Sequence, residues 1–243
     1  MYYSTKDKSV RMSFRDAVLS GLAPDGGLFM PETIPRLVGG QARAKEGSPF
    51  SLLHPYVGGE FAEVELPQIL EDAVNFPIPL VSLDANTFIL ELFHGPTMSF
   101  KDVGARVMAR IMSRLVRDES RPLTILVATS GDTGSAVASG FFNVPNIRVF
   151  ILYPKGRVSP LQEAQLTTYG GNITALEVEG SFDDCQALVK EAFNDRDLRE
   201  RLLLSSANSI NIARLLPQMI YYWAALAQLP EGTRAIFSVP SGN

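Results

Sequence analysis

The stretch FHGPTMSFKDVGARV, residues 93–107, places Lys101 where an apolar, strand-like run gives way to a helix-like pattern. Positive charge at a helix N-terminus is electrostatically unfavourable, and burial also favours the neutral form of an amine. The neutral amine is the form that attacks a carbonyl carbon. Lys101 is therefore a candidate nucleophile toward an aldehyde. The alternative is a solvated lysine paired with Asp102, which composition alone favours because most lysines are solvated.

A second candidate site is the loop ATSGDTGSA, residues 128–136, which follows the apolar run LTILVAT. Its glycines permit tight turns, and free N–H groups at a helix start bind anions. A capped helix start with turn glycines explains the same residues equally well. A P-loop and a dinucleotide fingerprint do not fit, because Ser135 and Ala136 follow the second glycine and a third glycine is absent. The candidate residues are Ser130, Gly131, Asp132, Thr133 and Gly134.

Further polar residues follow other apolar runs. Lys155 and Arg157 in YPKGRVSP could bind an anionic group, although an exposed basic loop is the more common explanation. Arg214 in SSANSINIARLLPQ could clamp a phosphate or a carboxylate, or it could be a surface charge. Asn208 or Ser209 in the same stretch could simply cap the following helix.

From residue 87 onwards, strand-like and helix-like stretches alternate. The strand candidates are TFILELF, LTILVAT, IRVFILY, ITALEVE and AIFSVP. In FKDVGARVMARIMSRLV, apolar residues at four-residue spacing form one helical stripe, and Pro217 predicts a kink in NSINIARLLPQMIYYWAALAQL. This alternation predicts an α/β fold with a parallel sheet covered by helices on both faces. Such sheets bind ligands beyond the C-terminal strand ends, where the candidate loops lie.

Composition limits the class of protein. The 243 residues carry a net charge of −4 without a basic tract, which disfavours nucleic acid as a partner. The polar start MYYSTKDKSVRM lacks the apolar core of a signal peptide, and no run is long enough to span a bilayer. The single Cys185 excludes an internal disulfide, so a cytoplasmic location is predicted.

The two histidines are poor candidates for chemistry. His54 and His94 lie far apart, which disfavours a zinc site. His94 has the setting of a turn residue, without a visible orienting partner.

Taken in their order along the chain, several stretches resemble the threonine synthase family, which belongs with the tryptophan synthase β subunit to the fold-type II pyridoxal-phosphate enzymes. The matching stretches are LELFHGPTMSFKD, ATSGDTGSAVA, ILYPKGRVSPLQE, GGNITALEVEGSFDDCQALVK, SANSINIARLLPQ and VPSGN. GLAPDGGLFMPETIP resembles the N-terminal extension of the longer bacterial and fungal members. The ordered set, which covers essentially the whole chain, carries the resemblance; no single motif does.

The resemblance implies a three-layer α/β fold of parallel sheets with helices on both faces. It divides the chain into a mainly helical N-terminal extension at residues 1–79, parts of a large cofactor domain at 80–120 and 206–243, and a small doubly wound α/β domain at 121–205. The ending AIFSVPSGN reads as a strand and a turn with no following element. We therefore expect the fold to be incomplete at the C-terminus and the sequence to be a fragment of a longer chain.

The cofactor implied by the resemblance is pyridoxal 5'-phosphate, which Lys101 would hold through a Schiff base. Gly242 and Asn243 would begin the loop that binds the cofactor phosphate. Gly95 stands where many shorter relatives have an asparagine that contacts the cofactor's phenolic oxygen, so that contact is not assigned. The residues implied to bind substrate are Ser99, Ser130, Gly131, Asp132, Thr133, Gly134, Lys155, Arg157, Asn208, Asn211 and Arg214.

The implied reaction converts O-phospho-L-homoserine and water into L-threonine and phosphate, the last step of threonine biosynthesis. Lys101, once displaced from the cofactor aldehyde, would act as the base at Cα and then at Cβ. One alternative is a related phospholyase that releases a keto acid. Another is a truncated paralogue without catalytic activity. The oligomeric state does not follow from the sequence.

Overall fold

The computed structural model of the protein describes residues 1–36, 48–57 and 59–240. Its strands are β1 (Tyr2–Ser4), β2 (Arg11–Met12), β3 (Phe29–Pro31), β4 (Leu80–Ser82), β5 (Phe88–Leu90), β6 (Leu123–Ala128), β7 (Ile147–Pro154), β8 (Ile173–Val178) and β9 (Leu203–Ser206). Its helices are α1 (Phe14–Ser20), α2 (Pro49–Val57), α3 (Glu65–Ala73), α4 (Lys101–Leu115), α5 (Asp132–Phe141), α6 (Pro160–Thr167), α7 (Phe182–Asn194), α8 (Arg196–Arg201), α9 (Ile212–Leu215) and α10 (Met219–Gln228). Within these described ranges, no helix combines the length and the apolar character needed to cross a bilayer.

Strands β6 to β9 form a parallel sheet in the order β8-β7-β6-β9, which confirms the predicted parallel sheet. The chain moves outward from β6 through β7 to β8 and then returns to the other side of β6. The strand order therefore reverses between β6 and β9. Sheets of this kind bind ligands at such a switch point, beyond the C-terminal ends of the strands. The loops that follow β6 and β9 border this position.

Helices cover both faces of the sheet. On one face, Cys185 and Val189 of α7 pack against Ala128 of β6. The alternate residues Ile125 and Val127 belong to the main core, because successive side chains of a strand point to opposite faces. That core also contains the buried side of α5. The two faces together bury strand β6, whereas the edge strand β8 remains largely exposed.

Helix α4 begins at Lys101 and is packed firmly into the core. Its predicted apolar stripe is confirmed, since Val103, Val107 and Ile111 are all buried. Gly140 of α5 lets the two helices approach closely: a Cβ at this glycine would lie 3.1 Å from the carbonyl carbon of Ala105. The lysine therefore stands on a rigid element rather than on a free loop.

The N-terminal part of the chain is fastened to helix α4. It contains an antiparallel sheet in the order β2-β1-β3 together with helices α1 to α3. Arg15 of α1 donates a hydrogen bond to the carbonyl of Leu115, the last residue of α4. Arg106 of α4 donates to the carbonyls of Ala73 at 2.6 Å and Asp72 at 2.9 Å, in the last turn of α3. C-terminal carbonyls lack partners within their own helix, so each arginine stabilises a helix end and joins the two parts.

Single residues set several of the helix boundaries. The Ser13 side chain caps α1 by accepting from the N–H of Asp16, and Gly21 ends this helix with φ = +73°. Ser159 caps α6, with a proline as its first residue. Pro217 lies in a 3-10 turn, Leu216–Gln218, which separates α9 from α10 and replaces the predicted kink.

Two strand predictions are wrong in part. The candidate TFILELF yields only the three residues of β5, which pairs antiparallel with β4 and lies outside the parallel sheet. The candidate AIFSVP, residues 235–240, is irregular and exposed, with Ile236 at 99% exposure. A strand needs a hydrogen-bonded neighbour, and no strand of the described residues lies beside this segment.

Candidate cofactor and substrate site

The Lys101 side chain is largely shielded from solvent and reaches the loop that follows β6. It is 18% exposed, and its Nζ lies 3.6 Å from Oδ2 of Asp132 and 4.7 Å from the centroid of the Phe100 ring. Asp132, and not the neighbouring Asp102, is thus its ion-pair partner. Two candidate sites that are distant in sequence meet at this point.

The Asp102 carboxylate is hydrogen-bonded to the preceding turn and does not pair with Lys101. This buried carboxylate accepts hydrogen bonds from Thr97, from the backbone N at 2.9 Å and from Oγ1 at 2.6 Å. A Cβ at Gly95 would lie 2.5 Å from Oδ2 of Asp102, so a side chain at this position would require the carboxylate to move. Ser99 is also buried, and its Oγ accepts from the N–H of Lys101 at 3.3 Å. These contacts order the turn directly before the lysine.

The loop after β6 is closed by the Thr129 hydroxyl. This Oγ1 accepts from the N–H groups of Gly131 at 3.1 Å and Gly134 at 2.8 Å, and it donates to the carbonyl of Gly131 at 3.0 Å. The backbone N–H groups of Asp132 and Thr133, at the start of α5, make no hydrogen bond to the rest of the described chain. They are therefore available to an anion at a helix N-terminus.

Three loops with candidate residues leave the same edge of the parallel sheet. Residues 129–134 follow β6, residues 155–159 follow β7, and residues 207–211 follow β9. The first two loops are linked, because Nε2 of Gln162 in α6 lies 2.7 Å from Oδ1 of Asp132. Ser130 is exposed at this edge. The predicted residues are therefore brought to one side of the sheet by its topology.

Lys155 and Arg157 lie at this edge with exposed side chains that face acidic neighbours. Nζ of Lys155 forms an ion pair with Glu179. Hydrogen bonds from Ser181 lower the pKa of the Asp184 carboxyl, and the charge of Arg157 adds to this effect. An anionic substrate at this position would compete with these carboxylates.

The two asparagines after β9 differ in their surroundings. Asn211 is fully buried, and its Nδ2 donates to the carbonyls of Val18 at 2.8 Å and Ser206 at 3.1 Å. Its Oδ1 accepts from the N–H of Ala213 at 3.0 Å and so caps α9. Asn208 has no side-chain hydrogen bond within the described chain, and its Oδ1 is buried without a partner. Asn208 thus has a free polar atom for a ligand, whereas the polar atoms of Asn211 are committed to the fold.

Arg214 is almost wholly buried, at 2% exposure, which excludes the alternative of a surface charge. Its Nη1 donates to the carbonyl of Ala207 at 2.6 Å, while its Nη2 has no partner. The side chain packs on Gly104 of α4, where a Cβ would lie 3.3 Å from Cγ of Arg214. Burial lowers the pKa of the guanidinium to about 10. A substrate anion would reach Nη2 only after the surrounding loop moved.

Replacement of Arg214 by methionine is expected to stabilise the folded chain. The substitution removes a buried charge that has no carboxylate partner, and it keeps much of the apolar packing on α4. Removal of the desolvated charge should add about 1 to 3 kcal/mol to the free energy of unfolding, which outweighs the roughly 1 kcal/mol lost when the Ala207 carbonyl loses its donor. Urea unfolding at pH 7 measures the change, with the exposed Arg157→Met as a control that leaves stability unchanged. A clear loss of stability in Arg214→Met would contradict this account.

Three residues that sequence reasoning did not select support the site. Thr129 closes the loop after β6, Gln162 contacts Asp132, and the hydroxyl of Tyr221 donates to the carbonyl of Phe100, directly before the lysine. The pattern Ser-x-x-Gln in SPLQ could have identified Gln162 as part of a capping box, although not its contact with the loop. Thr129 and Tyr221 carry no local signal of this kind.

His94 has a partner that the sequence did not reveal. Its Nε2 lies 2.6 Å from Oε2 of Glu91, so the expectation that it lacks an orienting group is wrong. In the part of the chain that the structure describes, no group of three or more His, Cys, Asp or Glu side chains could hold a metal ion. Gly242 and Asn243, predicted to bind the cofactor phosphate, lie outside the described residues.

The unpaired polar atoms of this edge fit an anionic ligand with an aldehyde. Lys101 offers an amine, and the N–H groups of Asp132 and Thr133 offer free donors. Three further buried side-chain atoms are unpartnered: Oγ of Ser135, Oδ1 of Asn208 and Nη2 of Arg214. Buried polar atoms are nearly always hydrogen-bonded. These three unpartnered atoms near one sheet edge therefore indicate a ligand site. Pyridoxal phosphate and an amino-acid substrate suit this set of amines, amides and cations.

Comparison with known proteins agrees with this chemistry. Residues 74–243 match the family described as pyridoxal-phosphate dependent enzyme, and residues 1–74 match the family described as threonine synthase N terminus. The chain therefore belongs to the pyridoxal-phosphate dependent enzymes, whose cofactor is pyridoxal 5'-phosphate.

More particularly, the chain is similar to threonine synthases. It is 46% identical to that of Escherichia coli strain K12 over 248 residues, covering 99% of this chain and 58% of the relative. It is 47% identical to that of Haemophilus influenzae over 247 residues, covering 99% and 57%. The crystal structure of a PLP-bound threonine synthase from Brucella melitensis matches with a TM-score of 0.88 at 43% identity, covering 97% of this chain and 53% of that one. The predicted family resemblance and the fold-type II class are confirmed, and the chain spans a little over half the length of these relatives.

Proposed function

We propose that this protein is a threonine synthase, which converts O-phospho-L-homoserine and water into L-threonine and phosphate. The observation that carries the proposal is the position of Lys101. Its Nζ lies 3.6 Å from Asp132 Oδ2, at the sheet edge where the strand order reverses. Similarity to threonine synthases over 99% of the chain supports the choice of substrate, which no single residue identifies.

In this proposal Lys101 binds the aldehyde of pyridoxal phosphate covalently. When bound, pyridoxal phosphate supplies an electron sink that delocalises the negative charge left on the substrate by proton loss. The Lys101 amine, once released from the aldehyde, takes a proton from Cα and passes it on, which leaves the amine free to take a proton from Cβ. The γ-phosphate then leaves, water adds at Cβ, and protons returned to Cγ and Cα complete L-threonine. One neutral amine can serve as both nucleophile and base, so a single residue suffices. The free N–H groups of Asp132 and Thr133 bind the substrate carboxylate.

The remaining predicted residues complete the proposed site. Lys155 and Arg157 attract the substrate phosphate and favour its departure electrostatically. Arg214 adds the positive charge of its buried guanidinium, and Asn208 offers its unpaired Oδ1. Ser99, Ser130, Gly131 and Gly134 shape the two turns beside the lysine, Asn211 holds the loop after β9, and Gly242 and Asn243 begin the cofactor-phosphate loop.

The predicted organisation is part of the proposal. It consists of an extension at residues 1–79, parts of a large cofactor domain at 80–120 and 206–243, and a small α/β domain at 121–205. The family boundary near residue 74 supports the first division. The cytoplasm is the proposed location, as expected for an enzyme of amino-acid biosynthesis.

Product analysis tests the proposed function. The protein, supplied with pyridoxal phosphate and O-phospho-L-homoserine, is expected to release L-threonine and phosphate in equal amounts. Chromatography of the amino acids and a phosphate assay measure the two products. A keto acid in place of threonine would instead show a phospholyase. If the protein binds no pyridoxal phosphate and releases no phosphate, it is a paralogue without catalytic activity.

A further inference from the structure

We propose that Gln162 is a positioning residue, which holds the Asp132 carboxylate so that one of its oxygens faces the Lys101 amine. The inference rests on the proposed role of Lys101 as the amine that captures an aldehyde. It assigns a part in the site to helix α6, which contributes none of the predicted site residues. Three sets of contacts carry it.

The first is the orientation of the Gln162 amide. The backbone N–H of Ser159 donates to Oε1 of Gln162 at 3.2 Å, and the Ser159 hydroxyl lies 3.1 Å from the same oxygen. A backbone N–H can only donate, so the amide oxygen must face Ser159. The Nε2 group consequently faces Asp132 Oδ1 at 2.7 Å and donates to it. The capping box of α6 thus fixes which end of the amide reaches the loop.

The second is the space above Gly131. A Cβ at this position would lie 2.4 Å from Nε2 and 2.7 Å from Cδ of Gln162, so the amide rests directly on the glycine. Gly131 also has φ = +150°, a conformation that side chains rarely adopt. The absence of a side chain at position 131 therefore lets α6 reach Asp132.

The third is the division of the Asp132 carboxylate between two partners. Oδ1 accepts from Gln162, and Oδ2 lies 3.6 Å from Nζ of Lys101. The Asp132 side chain is 51% exposed, so without Gln162 it would be free to turn into solvent. The hydrogen bond keeps the negative charge beside the amine. The amine is thereby held at the mouth of the loop until it reacts with an aldehyde.

The other groups packed around Lys101 do not duplicate this effect. Tyr221 of α10 directs its hydroxyl to the carbonyl of Phe100, and Arg214 of α9 packs on Gly104, one turn into the helix. Asp102, which lies on the same helix as Lys101, uses its carboxylate to accept two hydrogen bonds from the preceding turn. Among the described residues, Asp132 provides the carboxylate within ion-pair distance of Nζ.

Competitive labelling of the lysines tests the inference without any cofactor. Trace acetic anhydride is applied across a pH series, and peptide mass spectrometry gives the pH midpoint of labelling for Lys101, with Lys155 and Lys190 as internal references. In Asp132→Asn, loss of the charge 3.6 Å from Nζ is expected to lower this midpoint. In Gln162→Met, the freed carboxylate turns partly away, so a smaller shift in the same direction is expected. The double variant is expected to match Asp132→Asn, because Gln162 acts only through Asp132.

Two variants separate positioning from a merely structural role. Gln165→Met makes the same change one turn along α6, at a side chain without a hydrogen bond in the described chain, and is expected to leave the midpoint unchanged. Ser159→Ala removes the helix cap but keeps the Ser159 N–H that orients the amide, so the helix weakens without a shift for Lys101. An unshifted midpoint in Gln162→Met, or an equal shift in Gln165→Met, would overturn the inference. Failure of the unaltered protein to bind pyridoxal phosphate would overturn the proposed function and leave the labelling result intact.

Discussion

Substitution of Lys101 by alanine is expected to abolish the covalent attachment of pyridoxal phosphate. The amine is the group that joins the aldehyde, and its shielded position beside the loop after β6 is not shared by an exposed lysine such as Lys155. Lys101→Arg is expected to fail as well, because a guanidinium keeps the positive charge but is not a nucleophile at neutral pH. Turnover of O-phospho-L-homoserine should fall by roughly 100-fold or more, because a general acid–base group typically contributes at least that factor to the rate.

Borohydride reduction followed by peptide mass analysis measures the attachment directly. The unaltered protein should carry the reduced cofactor on the peptide that contains residue 101, and both variants should lack it. Lys155→Ala is the matched control, since it removes an exposed lysine at the same sheet edge and should retain the modified peptide. A cofactor found on Lys155 or on another lysine of the unaltered protein would refute the assignment of Lys101.

Elements whose signals are local can be predicted from the sequence. The cap of α6 combines Ser159 with a glutamine three residues later, and the cap of α7 combines Ser181 with Asp184 at the same spacing. Each of these caps depends on side chains within one helical turn, so a short window of sequence contains the whole interaction. The apolar stripe of α4 is local in the same sense, because it repeats within the helix itself.

The elements predicted poorly depend on distant partners. The run around β5 has strand composition along its whole length, yet only three residues find a neighbour, in β4. Residues 235–240 have the same composition and find no neighbour in the described chain. Strand formation requires pairing between segments, and a single window of sequence does not contain the partner.

The candidate site shows the same contrast. Lys101 stands out in the sequence because its unusual feature, an amine at a helix start after an apolar run, is visible in a few residues. Its partner Asp132 lies 31 positions away, and only the sheet topology brings the two together. The burial of Arg214 beneath α4 and the contacts of Asn211 with α1 are likewise long-range, so the sequence leaves open whether these residues bind ligand or support the fold.

Asn211→Asp is expected to be the most destabilising single substitution in the loop after β9. Asn211 is fully buried, and its Nδ2 holds the carbonyls of Val18 and Ser206 while its Oδ1 caps α9. Aspartate keeps the capping acceptor but places a carboxylate against two carbonyl oxygens. The cost should be about 3 to 5 kcal/mol, compared with about 2 to 3 kcal/mol for Asn211→Ala, which leaves the same groups unpaired without a buried charge.

Asn208→Ala is the control for this prediction. Asn208 lies in the same loop, but its buried Oδ1 has no partner, so its removal should not lower the free energy of unfolding. Urea unfolding of the three variants at pH 7 and equal protein concentration measures the differences. If Asn211→Asp and Asn208→Ala proved equally stable, the hydrogen bonds to Val18 and Ser206 would not hold the loop, and Asn211 would be free to contact substrate. The expected order instead assigns Asn211 to the joint between the N-terminal helix α1 and the loop after β9, and leaves ligand contact to Asn208.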